Sequence, residues 1–201
     1  MKKRLILLLA AMLTVSAVAL TGCGSNPTVT TADFNEEETT VAGAMADVSA
    51  RFALPTDGTS AVVKLTTYHK GEKKSDSEMR NVQGAEGNNA LYVSGVNSSG
   101  LDYVWTIAAP GGRMVYPTPY FSVQDGTSMI RITDVGESDF SLTDGKEHLL
   151  YYTAYKSGED SSTISEKPFH EWSNLEDKDS ILKQFDCVYL ITIAQDSEQN
   201  K

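Results

Sequence analysis

The sequence predicts a mainly β domain, an antiparallel β-sandwich of eight or nine strands. Three observations predict it. Short runs rich in Val, Ile, Thr and Tyr recur along the chain, and such side chains fit a pleated, half-buried surface. Clusters of Gly, Asp, Asn and Pro punctuate the runs, each supplying turn geometry. The strand-like runs do not alternate with long helical patterns, so the βαβ rhythm of a parallel sheet is missing.

The elements follow in order. Val48, Ala50, Phe52 and Leu54 alternate as in a strand, which we place at 47–54. A helix over 34–50 is the rival for this stretch. Phe34, Val41, Met45, Val48 and Phe52 keep helical spacing, and Asp33 and Glu36 have capping-box spacing. Thr39, Thr40 and Gly43 weaken that helix. With it, the fold would become α+β, a half-open antiparallel barrel with an N-terminal helix over 34–50. "PTDGTS" (55–60) supplies a turn, and "AVVKLTTYHK" (61–70) is a strand rich in β-branched residues. After the turn "KGEK", "SDSEMRNVQ" returns as a polar edge strand. "ALYVSGV" (90–96) and "LDYVWTIAA" (101–109) flank "NSSG" as a hairpin. The two prolines of "MVYPTPYFSV" (114–123) confine it to an edge or an extended loop. "SMIRITDV" (128–135), "HLLYYTAYKS" (148–157) and "FDCVYLITIA" (185–194) complete the sheets. The acidic stretch 158–179 holds seven acids and two lysines and reads as a loop, with a short helix near "DKDSILKQF".

The N-terminus carries a different signal. Lys2, Lys3 and Arg4 form a cationic head, followed by an apolar run from Leu5 to Leu20. Sixteen helical residues would span roughly 24 Å, short of a hydrocarbon core of about 30 Å. The pattern is that of a secretory signal, and it ends in Leu20-Thr21-Gly22-Cys23. This tetrapeptide resembles the lipobox of bacterial lipoproteins. The resemblance covers about 25 residues. It implies that Cys23 receives a diacylglyceryl group and, after cleavage, becomes the first residue of the mature chain. It implies also a lipid-anchored, extracytoplasmic location at the cell membrane or the outer membrane. Two or more acyl chains anchor stably where one holds only marginally. The expected organisation is a signal peptide over 1–22, a lipidated flexible tether over 23–45, one β-rich domain over 46–196, and a disordered tail over 197–201. The Thr-rich, acidic stretch 24–40 reads as the tether.

Composition bounds the partners. The chain carries 17 basic and 27 acidic residues. Loss of Lys2, Lys3 and Arg4 with the signal takes the net charge from −10 to −13. So acidic a body repels polyanions, which argues against nucleic-acid binding. Cys187 is the one cysteine beyond Cys23. It sits in an apolar strand, reads as a buried, unreactive thiol, and leaves no disulfide to the mature domain if Cys23 is lipidated.

No catalytic motif emerges from the sequence. His69, His148 and His170 have no metal-ligand spacing, although strand pairing could bring His69 and His148 together. There is no Gly-x-Ser-x-Gly elbow. Asp177 and Asp179 lack the glycine and distal glutamate of a calcium loop. No cofactor or metal is expected. The candidate binding residues are Arg113, Tyr116, Tyr120 and Phe121, on a proline-stiffened segment with Trp105 expected nearby. Rigid aromatics lose little conformational entropy on binding a glycan or a peptide. The bland alternative is an edge strand whose rings cap the core. The basic turn "HKGEKK" reads as solvated, with lipid headgroups as the alternative contact. The expected function is a non-enzymatic, lipid-anchored envelope or surface domain that binds a ligand or a protein. The alternatives are a lipid-anchored cell-envelope hydrolase with a dispersed site, and a carrier of lipids or other hydrophobic ligands.

Overall fold

The computed structural model describes residues 27–99, 102–118, 129–158 and 168–197. The expected signal peptide over 1–22, Cys23, Tyr120 and Phe121 lie outside them. Among the described residues the chain forms eleven strands. They are β1 (Thr28–Ala32), β2 (Val48–Ala53), β3 (Ala61–His69), β4 (Glu72–Val82), β5 (Ala90–Ser99), β6 (Asp102–Ala109), β7 (Gly112–Pro117), β8 (Met129–Val135), β9 (Phe140–Ser141), β10 (His148–Ser157) and β11 (Cys187–Gln195). Two helices join them, α1 (Glu36–Met45) and α2 (Lys178–Leu182).

The strands build an antiparallel β-sandwich, as the sequence predicts. One sheet has the order β7-β6-β5-β2-β1-β9 and the other β4-β3-β11-β10-β8. The polar strand over 72–82 is an edge, and so is the proline-bearing β7. Charged side chains and proline suit an edge because they do not invite further pairing.

The main core lies between the sheets and is aromatic at its centre. Trp105 stacks on Tyr103, ring centroids 5.3 Å apart, and meets Tyr151 and Tyr189 at 6.1 and 6.0 Å. Gly95 stands opposite Trp105 in the β5–β6 register. A Cβ there would lie 2.9 Å from the indole and 2.8 Å from Val48, so a glycine makes the room the rings occupy. Cys187 is buried in this core, and burial pushes its thiol up to about 12. The thiol is therefore protonated and inert at neutral pH.

A second apolar layer lies on the outer side of β10 and β11. Tyr152, Leu190 and Val188 meet Phe169, Trp172 and Phe185 there. Residues 168–179, expected as part of an acidic loop, thus cover the sheet with the buried rings of Phe169 and Trp172 and a 3₁₀ turn at Trp172–Asn174. Both faces of β10 and β11 are consequently dry. Continuous apolar runs rather than alternation are what such strands require.

The N-terminal region departs most from expectation. Where a tether was expected to residue 45, Thr28–Ala32 pairs with β2 and β9, and Glu36–Met45 is a helix. The strand and helix expected as rivals for 34–54 coexist, with the helix ending at Met45 and β2 beginning at Val48. Polar Thr-rich sequence forms β1 because Val29 alone needs to enter the core, while neighbours supply the ladder. The capping box is closed by Asn35 and Glu38, each side chain accepting from the other's backbone N–H at 2.8 Å. Asp33 and Glu36 do not form it.

Candidate functional site

Helix α1 is held on the outer face of the first sheet by few contacts. Its sequence, EEETTVAGAM, offers little apolar surface. Glu38 reaches down to accept a hydrogen bond from the Tyr92 hydroxyl and lies 3.6 Å from Arg51. Arg51 in turn donates to the Asp33 carbonyl at 2.9 Å. The hydrogen bond from Tyr92, with that from the Asn35 N–H, outweighs desolvation and holds the Glu38 carboxyl below its ordinary value. Phe34 closes the knot, its ring 6.4 Å from that of Tyr92.

At its other end the helix leads into Asp47, whose N–H donates to the Gly95 carbonyl at 3.0 Å, while Gly43 between the two ends faces outward and is exposed. A methyl group added at Gly43 would touch nothing within 4 Å. Between α1 and strands β5 to β7 a groove of about 560 Å³ remains open. Its walls are mostly apolar: Phe34, Val41 and Ala46 on the helix side, Tyr92 and Val96 on the sheet. Val41 is 57% and Val96 41% exposed, and Val115 beyond the groove is 46% exposed. Scattered single apolar residues on a surface mean little, but a contiguous concave patch marks a binding surface. The volume falls within the range of small-molecule sites.

The candidate residues separate at this point. Arg113 is exposed and lines the groove. Tyr116 faces the other way. It stands opposite Trp105 in the β6–β7 register and packs against the core. Trp105, expected near the surface patch, is buried at 1% exposure. Side chains alternate along a strand, so Arg113 and Tyr116, three apart, necessarily point to opposite faces. Tyr120 and Phe121 lie outside the described residues. Sequence reasoning missed Tyr92, Val96 and the helix wall. A signal was present: in "ALYVSGV", Val96 falls on the face of Tyr92 and Ser94, where a polar residue would be ordinary.

The other clusters are structural. His148 is buried and stacks on Phe140 at 4.1 Å. Its Nδ1 lies 2.5 Å from Glu137 Oε2, and its Nε2 lies 3.0 Å from both Asp144 oxygens. The second Glu137 oxygen accepts the Ser173 N–H at 2.5 Å. The set ties β9 and β10 to the covering segment. Gly136 permits this approach, since a Cβ there would stand 2.3 Å from the Leu149 carbonyl oxygen. His69 and His148 do not meet. They pair with Cys187 and Ile193, toward opposite ends of β11. Asp177 caps α2 by accepting the Ser180 N–H. Among the described residues no group of His, Cys, Asp or Glu is arranged to hold a metal ion, and no helix is long and apolar enough to cross a membrane.

Desolvation raises the Asp144 carboxyl, but hydrogen bonds from His148 and the Lys146 N–H outweigh it and the net shift is downward. A carboxyl depressed in the fold stabilises it above the ordinary carboxylate value, and this is lost as pH falls through the depressed one. The native chain should therefore lose more melting temperature between pH 5 and pH 3 than Asp144→Asn does. The difference at stake is about 1 kcal/mol, one partly exposed hydrogen-bonded carboxylate. Equal acid slopes for the two proteins in thermal melts would remove Asp144 from the acid response.

No family model, no curated protein and no solved structure matches the chain.

Proposed function

We propose that this chain is a lipid-anchored, extracytoplasmic binding protein without catalytic machinery, and that the groove under α1 is its ligand site. The observation that carries the reading is the groove itself, an apolar recess left open between α1 and the outer face of β5 to β7. Cys23 would carry the lipid. It lies four residues before Pro27, and four steps of chain reach about 14 Å at most. The sandwich would therefore sit close to the bilayer rather than on a long tether. The end nearest Cys23 is the one where the Pro27 carbonyl accepts the Leu142 N–H and where Pro27 lines a cleft with Leu54 and Asp57. The basic turn at Lys70 lies at the far end of β3, about 27 Å further along the strand, and would point away from the headgroups.

The hydrolase alternative draws less support. The histidine set between two carboxylates is buried, and both of its ring nitrogens are engaged, which leaves no nitrogen to act on a substrate.

Native mass spectrometry of the chain released from its own membrane tests the reading. The expected spectrum shows a small molecule bound beyond the mass of the lipidated chain. In the double variant Val41→Asp, Val96→Asp the adduct is gone while the melting temperature is kept, because both side chains are exposed. A bare chain in both preparations, or an adduct that survives the double variant, would overturn it.

A further inference from the structure

The register of the first sheet gives the groove a direction. Arg51, Tyr92, Ala108 and Arg113 stand in one row across β2, β5, β6 and β7. Ser94, Thr106 and Val115 form the next row, and Val96, Val104 and Pro117 the third. The outer face thus passes from cation through hydroxyl to hydrocarbon along the strands. First and third rows are about 14 Å apart, four residues of strand.

The two arginines of the first row differ. Arg51 is engaged with Glu38 and the Asp33 carbonyl. Arg113 lines the groove and, among the described residues, makes no ion pair or hydrogen bond. Ala108, between Tyr92 and Arg113 in this row, carries only a methyl group. An unengaged guanidinium beside an apolar recess, on a body of strong negative charge, calls for a counter-ion.

Taking the groove as the ligand site, we infer that its ligand is a carboxylate-headed amphiphile with an apolar chain. The carboxylate meets the Arg113 guanidinium, whose fork matches its two oxygens. The chain lies along β5 and β6 beneath α1, ending against Val96 and Val41. Glu37 and Glu38 also line the groove. Their repulsion grows with the charge of the head, which favours a single negative charge over a doubly charged phosphate monoester.

Photo-crosslinking of the full chain in its membrane tests this with four diazirine probes of one chain length. They bear a carboxylate, a phosphate monoester, a trimethylammonium or an alcohol as head group. Crosslinked peptides are mapped by mass spectrometry after denaturation. The carboxylate probe is expected to label peptides from 34–46 and 90–99 at least tenfold more than the trimethylammonium probe, and more than the phosphate. Arg113→Glu should lower carboxylate labelling at least tenfold, Arg113→Lys should restore part of it, and alcohol labelling should stay unchanged in both. If the trimethylammonium, phosphate or alcohol probe labels these peptides as well as the carboxylate does, or if Arg113→Glu changes nothing, the ligand class is wrong while the groove remains a site. If no probe labels the groove, the site and the ligand class fall together.

Discussion

Trp105→Ala is expected to lower the unfolding free energy of the body by about 3–5 kcal/mol, the range for truncating a buried large aromatic. A domain of this size has about 5–15 kcal/mol in total, so the variant should unfold at a much lower urea concentration. The physical reason is the position of the ring. It is 1% exposed and touches Tyr103 of its own strand and Tyr151 and Tyr189 of the facing sheet. Gly95 opposite has no side chain to move into the void, and close-packed interiors relax only partly around a cavity. Trp105→Phe should cost distinctly less, because the indole N–H is buried without a hydrogen-bond partner among the described residues and its loss strands nothing. Val115→Ala on the outer face should stay within about 0.5 kcal/mol. Matching urea midpoints for Trp105→Ala and Val115→Ala would show that the rings between the sheets do not hold them together.

Cys23→Ser is expected to lose all covalently bound fatty acid. Cells fed labelled palmitate should show label on the native chain after denaturation and none on the variant, since a serine hydroxyl is not the thiolate nucleophile a thioether requires. A lipid anchor on Cys23 would owe its strength to chain number, at about 0.8 kcal/mol for each buried CH₂. The same experiment carries a geometric readout. With the anchor four residues from Pro27, a fluorophore on Asp57→Cys should be quenched by headgroup-borne quenchers, and one on Lys70→Cys should not. Label persisting on Cys23→Ser would refute the lipid attachment, and stronger quenching at Lys70 would refute the close, end-on seating.

Parts of this fold were legible because their causes are local. β3 and β10 could be read nearly to the residue from β-branched and aromatic density. Two of the four edges were legible too, β4 from its polar run and β7 from its prolines, but not β8 or β9. Arg113 could be named as a candidate because it precedes a stiff, aromatic segment. Its partners could not, since Phe34, Tyr92 and Val96 are brought to it by pairing across β2, β5, β6 and β7. Such pairing has no trace in a short window of sequence.

By itself, then, the sequence determined the β class, the positions of most strands, and an ordered pattern of cationic head, apolar run and Cys23 that can be read along the chain alone. The tertiary structure decided the rest. It recruited the threonines of β1 into a sheet, because a strand between two others needs partners more than propensity. It folded Phe169 and Trp172, from a stretch that reads as acidic loop, onto the outer side of β10 and β11, whose apolar residues required a cover. And it set a weakly apolar helix above an outer face, held by Glu38, Tyr92 and Arg51 at its start and by Asp47 on Gly95 at its end, leaving the recess beside it open. These outcomes depend on which distant surfaces meet, and burial is settled between surfaces rather than along a chain.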